Sequence, residues 1–243
     1  MEEINEQILR DIKTTHIYEE STNTISLQEL DEKIKDQKIL LLVGSGFSNA
    51  FGIKTFEQMK KEDNYYDIFS FDNFEYDTIQ FFTEMENFRN QCKIIPKISI
   101  PPNCFVVTTN IDGILEGDNI YEIHGNIFKN QCTLCKKIVE STEFVQSCKE
   151  CGTIMRPYIQ LYRDGDFINN TFQTEKFLQW KLNNNFCVLE IGCGTNVPIL
   201  RHESSCLANK NYDIFRLNIK DFDKKTINID CTISEFCQYF FHK

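Results

Sequence analysis

Seven short apolar runs recur along this chain, and they limit its fold more than any other feature. The runs are Ile39–Val43, Phe105–Thr108, Ile120–Ile123, Tyr158–Tyr162, Val188–Ile191, Ile214–Leu217 and Ile227–Ile229. Short, nearly continuous apolar runs are typical of strands that are buried on both faces of a parallel sheet. Longer polar or amphipathic segments separate them. The pattern therefore predicts an α/β fold, with helices on both faces of a Rossmann-like parallel sheet.

The ends of this pattern suggest how the chain is organised. Residues 1–36 are charged, and their apolar residues recur at helical spacing: Ile4, Ile8 and Ile12, then Leu27, Leu30 and Ile34. This spacing predicts one or two helices in an N-terminal segment, followed by a main domain over residues 37–243. The aromatic and acidic stretch from Tyr65 to Phe88 is interpreted as amphipathic helices that contribute core side chains or cap a cleft.

Composition excludes several classes of function. The chain has 243 residues, is 41% hydrophobic and carries a net charge of −10. That is enough apolar material for a large core, while the acidic charge disfavours direct binding to nucleic acid and attracts basic partners such as a lysine-rich peptide. No apolar run approaches the roughly 20 residues of a membrane helix, and the N-terminus lacks the pattern of a secretory signal. We therefore expect no membrane association, no secretion and a cytoplasmic or nuclear location.

Four of the eleven cysteines form two C-x2-C pairs that are separated by twelve residues. These are Cys132, Cys135, Cys148 and Cys151. Two such knuckles bring four thiolates together in the tetrahedral arrangement that zinc prefers, and a site with four protein ligands is structural. The spacing predicts one zinc ion in a small ribbon module of about residues 126–156. A redox pair or buried free thiols would be the alternatives.

A glycine-containing turn, Gly44-Ser45-Gly46-Phe47-Ser48, directly follows the first apolar run. Glycines at the end of a strand let the backbone turn tightly and approach a phosphate group. The third glycine of the usual dinucleotide-binding pattern is absent, since Asn49 stands at that position. Taken alone, the motif is equally consistent with a simple turn from a strand to a helix.

Polar residues follow four other apolar runs, where α/β folds bind their ligands. They are Thr109, Asn110 and Asp112; then His124; then Gly194, Thr195 and Asn196; and finally Asn218. Asn110 and Asp112 have the chemistry to orient a ribose or an amide, although both residue types are also common as caps and in turns. A neutral histidine such as His124 is able to act as a general base, whereas a lone histidine is more often structural.

These motifs, each weak on its own, occur in one order that resembles the sirtuins, the NAD-dependent protein-lysine deacylases. The order is G-S-G-F-S, T-N-I-D, H-G, two C-x-x-C pairs, R-P, G-T-N and L-N-I, and the resemblance runs from about Ile39 to Cys231. It implies a sirtuin-type catalytic domain that transfers an acyl group from lysine to ADP-ribose and releases nicotinamide. The implied partner is an acylated-lysine protein or peptide, and the implied cofactors are NAD and one structural zinc ion.

The resemblance also assigns residues. It implies His124, Asn110 and Asp112 as the catalytic set. The implied NAD contacts are Gly44, Ser45, Gly46, Ser48, Thr109, Asn110, Asp112, Gly194, Thr195, Asn196, Asn218 and Cys231. The four cysteines match the family's zinc ligands. The segment that contains Ile159, Gln160 and Tyr162 matches the one that pairs with the substrate peptide as an added strand.

The chain departs from the family pattern at several places, including the cofactor loop and the peptide-pairing segment. Lys54, Thr55 and Glu57 replace a proline, an aspartate and an arginine of the cofactor loop, and Arg163 replaces a glycine beside the peptide-pairing segment. Two alternatives to the deacylase therefore stay open. One is an NAD hydrolase or ADP-ribosyltransferase on the same scaffold, and the other is a non-enzymatic protein that binds NAD or ADP-ribose.

Overall fold

A computed structural model describes residues 23–55, 58, 69–141, 143–195, 197–218 and 225–241 of this chain. The strands are β1 (Thr24–Ile25), β2 (Lys38–Val43), β3 (Ile98–Ser99), β4 (Cys104–Thr108), β5 (Leu115–Glu116), β6 (Ile120–Glu122), β7 (Gly125–Cys132), β8 (Ile138–Glu140), β9 (Met155–Ile159), β10 (Phe186–Ile191), β11 (Ile214–Leu217) and β12 (Ile227–Ile229). The helices are α1 (Leu27–Ile34), α2 (Ser45–Asn49), α3 (Phe71–Tyr76), α4 (Thr78–Lys93), α5 (Thr171–Asn183), α6 (Ile199–Ala208) and α7 (Ile233–Phe240).

The main sheet has seven strands in the order β1-β12-β11-β10-β2-β4-β6. All of its neighbouring strands are parallel. From β2 the chain moves outward through β4 and β6, and then returns to the other side of β2 for β10, β11 and β12. This is the strand order of the Rossmann fold, with β1 added at one edge. The predicted fold class is therefore confirmed.

Both faces of the sheet are covered, as the apolar runs predict. Alternate residues of β2 point to opposite sides, so Leu41 belongs to the cluster that contains Phe81 of α4. Its neighbour Leu42 packs with Phe177 of α5 and Leu200 of α6. Helices therefore lie on both faces, and the central strand is buried on each.

Residues 23–36 join the same core. Strand β1 pairs with β12, and α1 begins with a capping box in which Ser26 and Glu29 bond reciprocally. Leu30 and Ile34 of α1 are buried, which confirms the helix predicted there. The two-residue strand β1 was too short to predict. The predicted helix around Ile4, Ile8 and Ile12 lies outside the described residues.

A small antiparallel sheet, β8-β7-β9, carries the four paired cysteines on or beside its strands. The prediction that Tyr158–Tyr162 forms a strand of the main sheet is wrong. Residues Met155–Ile159 instead form β9 against β7, and Tyr162 makes only an isolated bridge with Ser70. A buried strand has the same apolar composition in a small sheet as in a large one. The sequence pattern therefore does not show to which sheet a strand belongs.

The described part of the aromatic stretch, residues 69–88, contains α3 and most of α4. Asp77 caps α4 by accepting a hydrogen bond from the Gln80 N–H. The rings of Phe74, Phe81 and Phe82 are buried and meet edge to face at centroid distances of 5.3–6.2 Å. Within the described part of the chain, no helix has the length and apolar character needed to cross a membrane.

Candidate functional site

The candidate site is a cleft of about 840 Å³ at the carboxyl ends of the central strands. Strands β2 and β10 are neighbours there, and the chain leaves them in opposite directions across the sheet. Such a switch point is where open α/β sheets bind ligands, because the two outgoing loops diverge and leave a crevice. Thirteen of the predicted site residues line it: Gly44, Ser45, Gly46, Ser48, Thr109, Asn110, Asp112, His124, Gln160, Tyr162, Gly194, Thr195 and Asn218.

Two glycine turns interlock at the floor of the cleft. The Gly44 N–H donates to the Ile191 carbonyl at 3.0 Å, and the Gly46 N–H donates to the Gly192 carbonyl at 2.9 Å. A Cβ atom on Gly44 would lie 2.6 Å from the Gly192 oxygen. Gly192 has φ +60°, and a Cβ there would lie 2.4 Å from the Phe47 nitrogen. These glycines are therefore required by the contact between the two turns, in addition to any role in approaching a ligand.

The other glycine of the second turn is open. A Cβ atom on Gly194 would meet nothing within 4 Å, and Gly194 and Thr195 are exposed along the cleft wall. The turn is held from behind, because the Cys193 carbonyl accepts hydrogen bonds from Asn218 Nδ2 and Arg201 Nε, each at 3.0 Å. Asn218 thereby ties the end of β11 to the turn that follows β10.

Polar side chains fasten the loop after β4 to the first glycine turn. Asn110 Nδ2 donates to the Gly44 carbonyl at 3.0 Å and to Ser48 Oγ at 2.9 Å. Ser48 in turn donates to Asp112 Oδ2, while Asp112 Oδ1 accepts from the Ile114 N–H at 2.8 Å. Burial raises the pKa of the Asp112 carboxyl, and these hydrogen bonds oppose that rise. With both oxygens bonded inside the protein, Asp112 acts on the position of Ser48.

His124 lies just beyond β6, half-buried, with its side chain in the cleft lining. Desolvation lowers the pKa of the imidazole from its ordinary value of 6.5, while a hydrogen bond to the Thr109 backbone works in the opposite direction. The His124 carbonyl accepts from the Gln160 N–H at 2.9 Å, which fixes its backbone against the segment after β9. The ring is therefore neutral at physiological pH and is able to accept a proton from a bound hydroxyl.

An aromatic wall, which the sequence analysis assigned only in general terms, closes one side of the cleft. The rings of Phe69 and Phe88 meet edge to face at 5.9 Å, and both line the cleft. Tyr162 is pinned beside them, because its N–H donates to the Phe69 carbonyl at 2.8 Å and its carbonyl accepts from the Phe71 N–H at 2.9 Å. The spacing of aromatic residues in the sequence gave no sign of which rings face the core and which face the cleft.

The departures from the family pattern also lie at the cleft. Lys54 and Thr55 are part of its lining, whereas Glu57 is outside the described residues. Arg163 lines it too and has φ +58°, the left-handed conformation that a glycine adopts at least cost. Its exposed guanidinium pairs with Asp72 at 3.1 Å.

Three predicted site residues are not among those that line the cleft. Ile159 is fully buried in the core, one position before the exposed Gln160. Cys231 packs against the core beside α7 and is not in the lining, and burial raises the pKa of its thiol to about 11. Asn196 lies outside the described residues.

A buried ionic cluster behind the second glycine turn was missed. Glu190 of β10 and Arg216 of β11 stand opposite each other in the sheet register, with Nε and Oε1 3.1 Å apart. Arg201 of α6 approaches the same carboxylate at 3.0 Å, and Ser204 Oγ donates to it at 2.6 Å. The sequence contains one signal of this cluster. Glu190 and Arg216 have opposite charges, and each lies inside one of two consecutive apolar runs.

The four paired cysteines form one group. The sulfur atoms of Cys132, Cys135, Cys148 and Cys151 all lie within 4.8 Å of one another. A tetrahedral zinc ion with Zn–S bonds of about 2.3 Å requires sulfurs about 3.8 Å apart, so this donor set fits one zinc ion. Because all four positions would be filled by protein, such an ion has no vacancy for a substrate.

Comparison with known proteins agrees with this geometry. A family model described as the Sir2 family matches residues 44–198, which is more than half of the chain. This chain belongs to the Sir2 family. The matched range begins at the first glycine turn, contains His124 and all four paired cysteines, and ends just beyond the second glycine turn.

Individual Sir2 relatives match shorter segments. An NAD-dependent protein deacetylase of Clostridium acetobutylicum is 39% identical over 69 residues, which is 25% of this chain and 28% of the relative. An NAD-dependent protein deacylase of Caldanaerobacter subterraneus is 38% identical over 63 residues, or 23% of this chain and 26% of the relative. These matches thus span less than a third of the relatives' own length.

Solved structures match over most of the chain. A Sir2 homologue in complex with NAD has a TM-score of 0.71 at 14% identity and covers 88% of this chain and 92% of its own. A complex of Sir2 with a p53 peptide and NAD⁺ has a TM-score of 0.64 at 16% identity, with 88% and 96% covered. At these identities the similarity establishes the sirtuin fold.

Proposed function

We propose that this protein is an NAD-dependent protein-lysine deacylase, which transfers an acyl group from lysine to ADP-ribose and releases nicotinamide. One observation carries the proposal. Asn110 and His124, together with the two glycine turns that contain Gly44 and Gly194, converge on a single cleft at the switch point of a Rossmann sheet. Relatives and structural neighbours in the Sir2 family bear names that specify NAD and deacetylation or deacylation, which supports the same reaction.

In this proposal NAD lies across the cleft between the two glycine turns. The exposed Gly194 and Thr195 contact its phosphates and ribose, and Asn218 holds their turn in place. Asn110 directs its side-chain oxygen toward the nicotinamide ribose, since its Nδ2 group is already engaged with Gly44 and Ser48. Asp112 is a positioning residue in this scheme, because it acts through Ser48.

NAD supplies the ribose carbon C1′ that joins the acyl oxygen as nicotinamide departs. The imidazole of His124 then takes a proton from a ribose hydroxyl, which frees that oxygen to attack the acyl carbon. Its lowered pKa keeps the ring neutral and ready to accept that proton. The aromatic wall of Phe69 and Phe88 excludes water and holds the acyl chain beside the ribose.

The zinc module has a structural part in this account. We assign residues of about 126–156 to it within a catalytic domain of residues 37–243, and residues 1–36 to an N-terminal helical segment. The acyl-lysine peptide is proposed to contact Gln160 and Tyr162, which lie at the cleft between the zinc module and the aromatic wall. Attraction of basic peptides by the net charge of −10 supports a protein substrate and disfavours direct nucleic-acid binding.

A cytoplasmic or nuclear location completes the proposal. None of the eleven cysteines, all of which lie in the described residues, is joined in a disulfide bond, and a cysteine-rich chain without disulfides is typical of a reducing compartment.

Measuring nicotinamide release, with and without a panel of acylated lysine peptides, tests this function. We expect release that depends on the peptide, formation of acyl-ADP-ribose, and loss of both in His124→Ala. His202→Ala is the matched control, since His202 lies exposed on α6 and does not line the cleft. Release that proceeds equally without any peptide would exclude the deacylase.

NAD hydrolysis is the second candidate, and it is favoured by one observation. Lys54 and Thr55 line the cleft at positions where the family pattern has a proline and an aspartate. This replacement would admit water to C1′ and would produce free ADP-ribose without any peptide. The same assay separates the two functions by its products.

A further inference from the structure

A second cavity, of about 170 Å³, lies between helix α6, strand β11 and the start of β12. Hydroxyl groups, an amide and two cationic side chains dominate its lining: Ser204, Ser205, Thr226, Asn209, Arg216 and Lys225. No carboxylate is among the described residues that line it, although the chain as a whole carries a net charge of −10. A cationic, polar cavity on an acidic protein is selective for an anion.

Arg216 gives this cavity its chemistry. The residue is only 3% exposed. Its Nε lies 3.1 Å from Glu190 Oε1, and its Nη2 donates to Glu190 Oε2 at 3.2 Å. Because the carboxylate occupies one side of the guanidinium, Nη1 is directed away from it, and no described residue accepts a hydrogen bond from Nη1. Nη1 is therefore the guanidinium nitrogen that remains for a ligand, and an anion that accepts from it would form a charge-assisted hydrogen bond.

The guanidinium is already fixed in place. Glu190 is fully buried and is itself held by Ser204 Oγ at 2.6 Å and by Arg201 Nε at 3.0 Å. Arg216 therefore loses little side-chain freedom when a ligand arrives, which favours binding. A planar guanidinium held in this way is well suited to the oxygen atoms of a phosphate group.

Lys225 adds a second cation to the cavity. Its Nζ donates to Asn209 Oδ1 at 2.7 Å, which holds the ammonium group against the end of α6. Hydroxyl groups of Ser205 and Thr226 line the same space. We propose that this cavity is a binding site for a small oxyanion of the phosphate class, either inorganic phosphate or the phosphate of a monoester. The volume is below the roughly 300 Å³ of a typical small-molecule site, so a nucleotide is excluded.

Titration of the full-length protein with inorganic phosphate, followed by calorimetry at constant ionic strength against chloride, tests the site. We expect Lys225→Gln to weaken phosphate binding by about tenfold, since it removes a charge-assisted contact. Lys210→Gln is the matched control, because Lys210 is exposed nearby, does not line the cavity and loses the same charge. Its phosphate affinity should equal that of the unmodified protein.

A second variant and a second ligand complete the test. Arg216→Lys retains a cation for Glu190 but removes the Nη1 donors, so it should also weaken binding in a protein whose circular dichroism is unchanged. Glycerol 3-phosphate, titrated in parallel, distinguishes a monoester from the free anion: Lys225-dependent binding of either one supports the site. Equal phosphate affinity in the unmodified protein and Lys225→Gln, or no binding of either ligand, would overturn it. NAD is absent from this assay, so its result does not depend on the proposed deacylase activity.

Discussion

At the scale of single residues, the glycines of the cleft have two different roles. Gly44, Gly46 and Gly192 lack side chains because the backbone of one turn occupies the space where the other turn's Cβ atoms would be. Gly194 instead leaves open space beside the cleft. The sequence places Gly44, Gly46 and Gly194 directly after apolar runs, but it does not separate these roles. The roles depend on the contact in space between two turns that lie 148 residues apart in the chain, at Gly44 and Gly192.

Alanine substitution at two positions of the second turn distinguishes the roles. Gly192→Ala should destabilise the protein by more than about 2 kcal/mol, since a left-handed residue costs about 1–2 kcal/mol and the new Cβ also collides with the backbone at Phe47. Gly194→Ala should change stability by less than about 0.5 kcal/mol. Urea denaturation of both variants measures this difference. Equal losses of stability would show that the turns do not interlock as described.

His124 should determine how the proposed deacylase activity depends on pH. Because burial lowers the pKa of its imidazole from 6.5, the neutral form persists below the pH at which an exposed histidine is protonated. We expect kcat/KM for peptide deacylation to fall on the acid side with a midpoint below pH 6.5. A midpoint above that value would mean that the imidazole is not desolvated or is not the base.

The lowered pKa of His124 also affects the stability of the fold. In the unfolded chain His124 binds a proton near pH 6.5, whereas in the folded chain it binds one only at lower pH. This contribution to stability is complete above pH 6.5 and decreases as the pH falls toward the folded-state pKa.

Whether a predicted site residue lines the cleft depends on the direction of its side chain. His124 and Asn110 were predicted and lie in the cleft lining, since both follow strand ends directly. Ile159 was predicted beside Gln160 but is buried, because successive residues in an extended chain point to opposite sides. A motif identifies a short segment of the chain. It does not show which side chains of that segment face the cleft, because their direction depends on the register of the strand.

At the scale of structural elements, we expect the module that carries the four paired cysteines to depend on bound zinc for its order. Among the described residues, the hydrophobic cluster at the cysteine end of β7, β8 and β9 has three buried members, Cys132, Cys148 and Met155. Two of those three are members of the cysteine group. The cysteine end of the module therefore has little apolar core of its own, and we expect metal binding to supply the energy that orders it.

Removal of zinc should therefore disorder this module. We expect a chelator, or the variant Cys135→Ser, to abolish protection from hydrogen exchange in β7, β8 and β9 while β2 and β10 remain protected. Cys206→Ser on α6 is the control and should behave as the unmodified protein. Metal analysis that finds no zinc in the purified protein, or full protection after chelation, would contradict the assignment.

The sequence predicted the elements of this module only in part. The cysteine spacing located the four sulfur atoms that come together, because two C-x2-C pairs bring their thiols to one point. It did not reveal that Met155–Ile159 pairs with β7, since strand pairing within a small sheet leaves no periodic signal beyond the apolar run itself. The short strand β1 was likewise invisible, because two residues carry no pattern.

At the scale of the whole molecule, strand order determines where the site lies. The parallel sheet and its two helical faces could be predicted from the apolar runs, because burial on both faces imposes that composition. The strand order β6-β4-β2-β10-β11-β12 could not be predicted from those runs. The runs show where strands occur in the chain, but not which strands lie next to each other in the sheet. That order places the turns after β2 and β10 side by side, and it is the physical origin of the cleft.

The proposed function requires that this cleft holds a dinucleotide with His124 beside its ribose. A crystal structure of the full-length protein with ADP-ribose tests it most directly. The account predicts the diphosphate between the turns at Gly44 and Gly194, and the ribose within hydrogen-bond reach of the His124 ring. ADP-ribose bound elsewhere, or lying in the cleft with its ribose out of reach of His124, would contradict it.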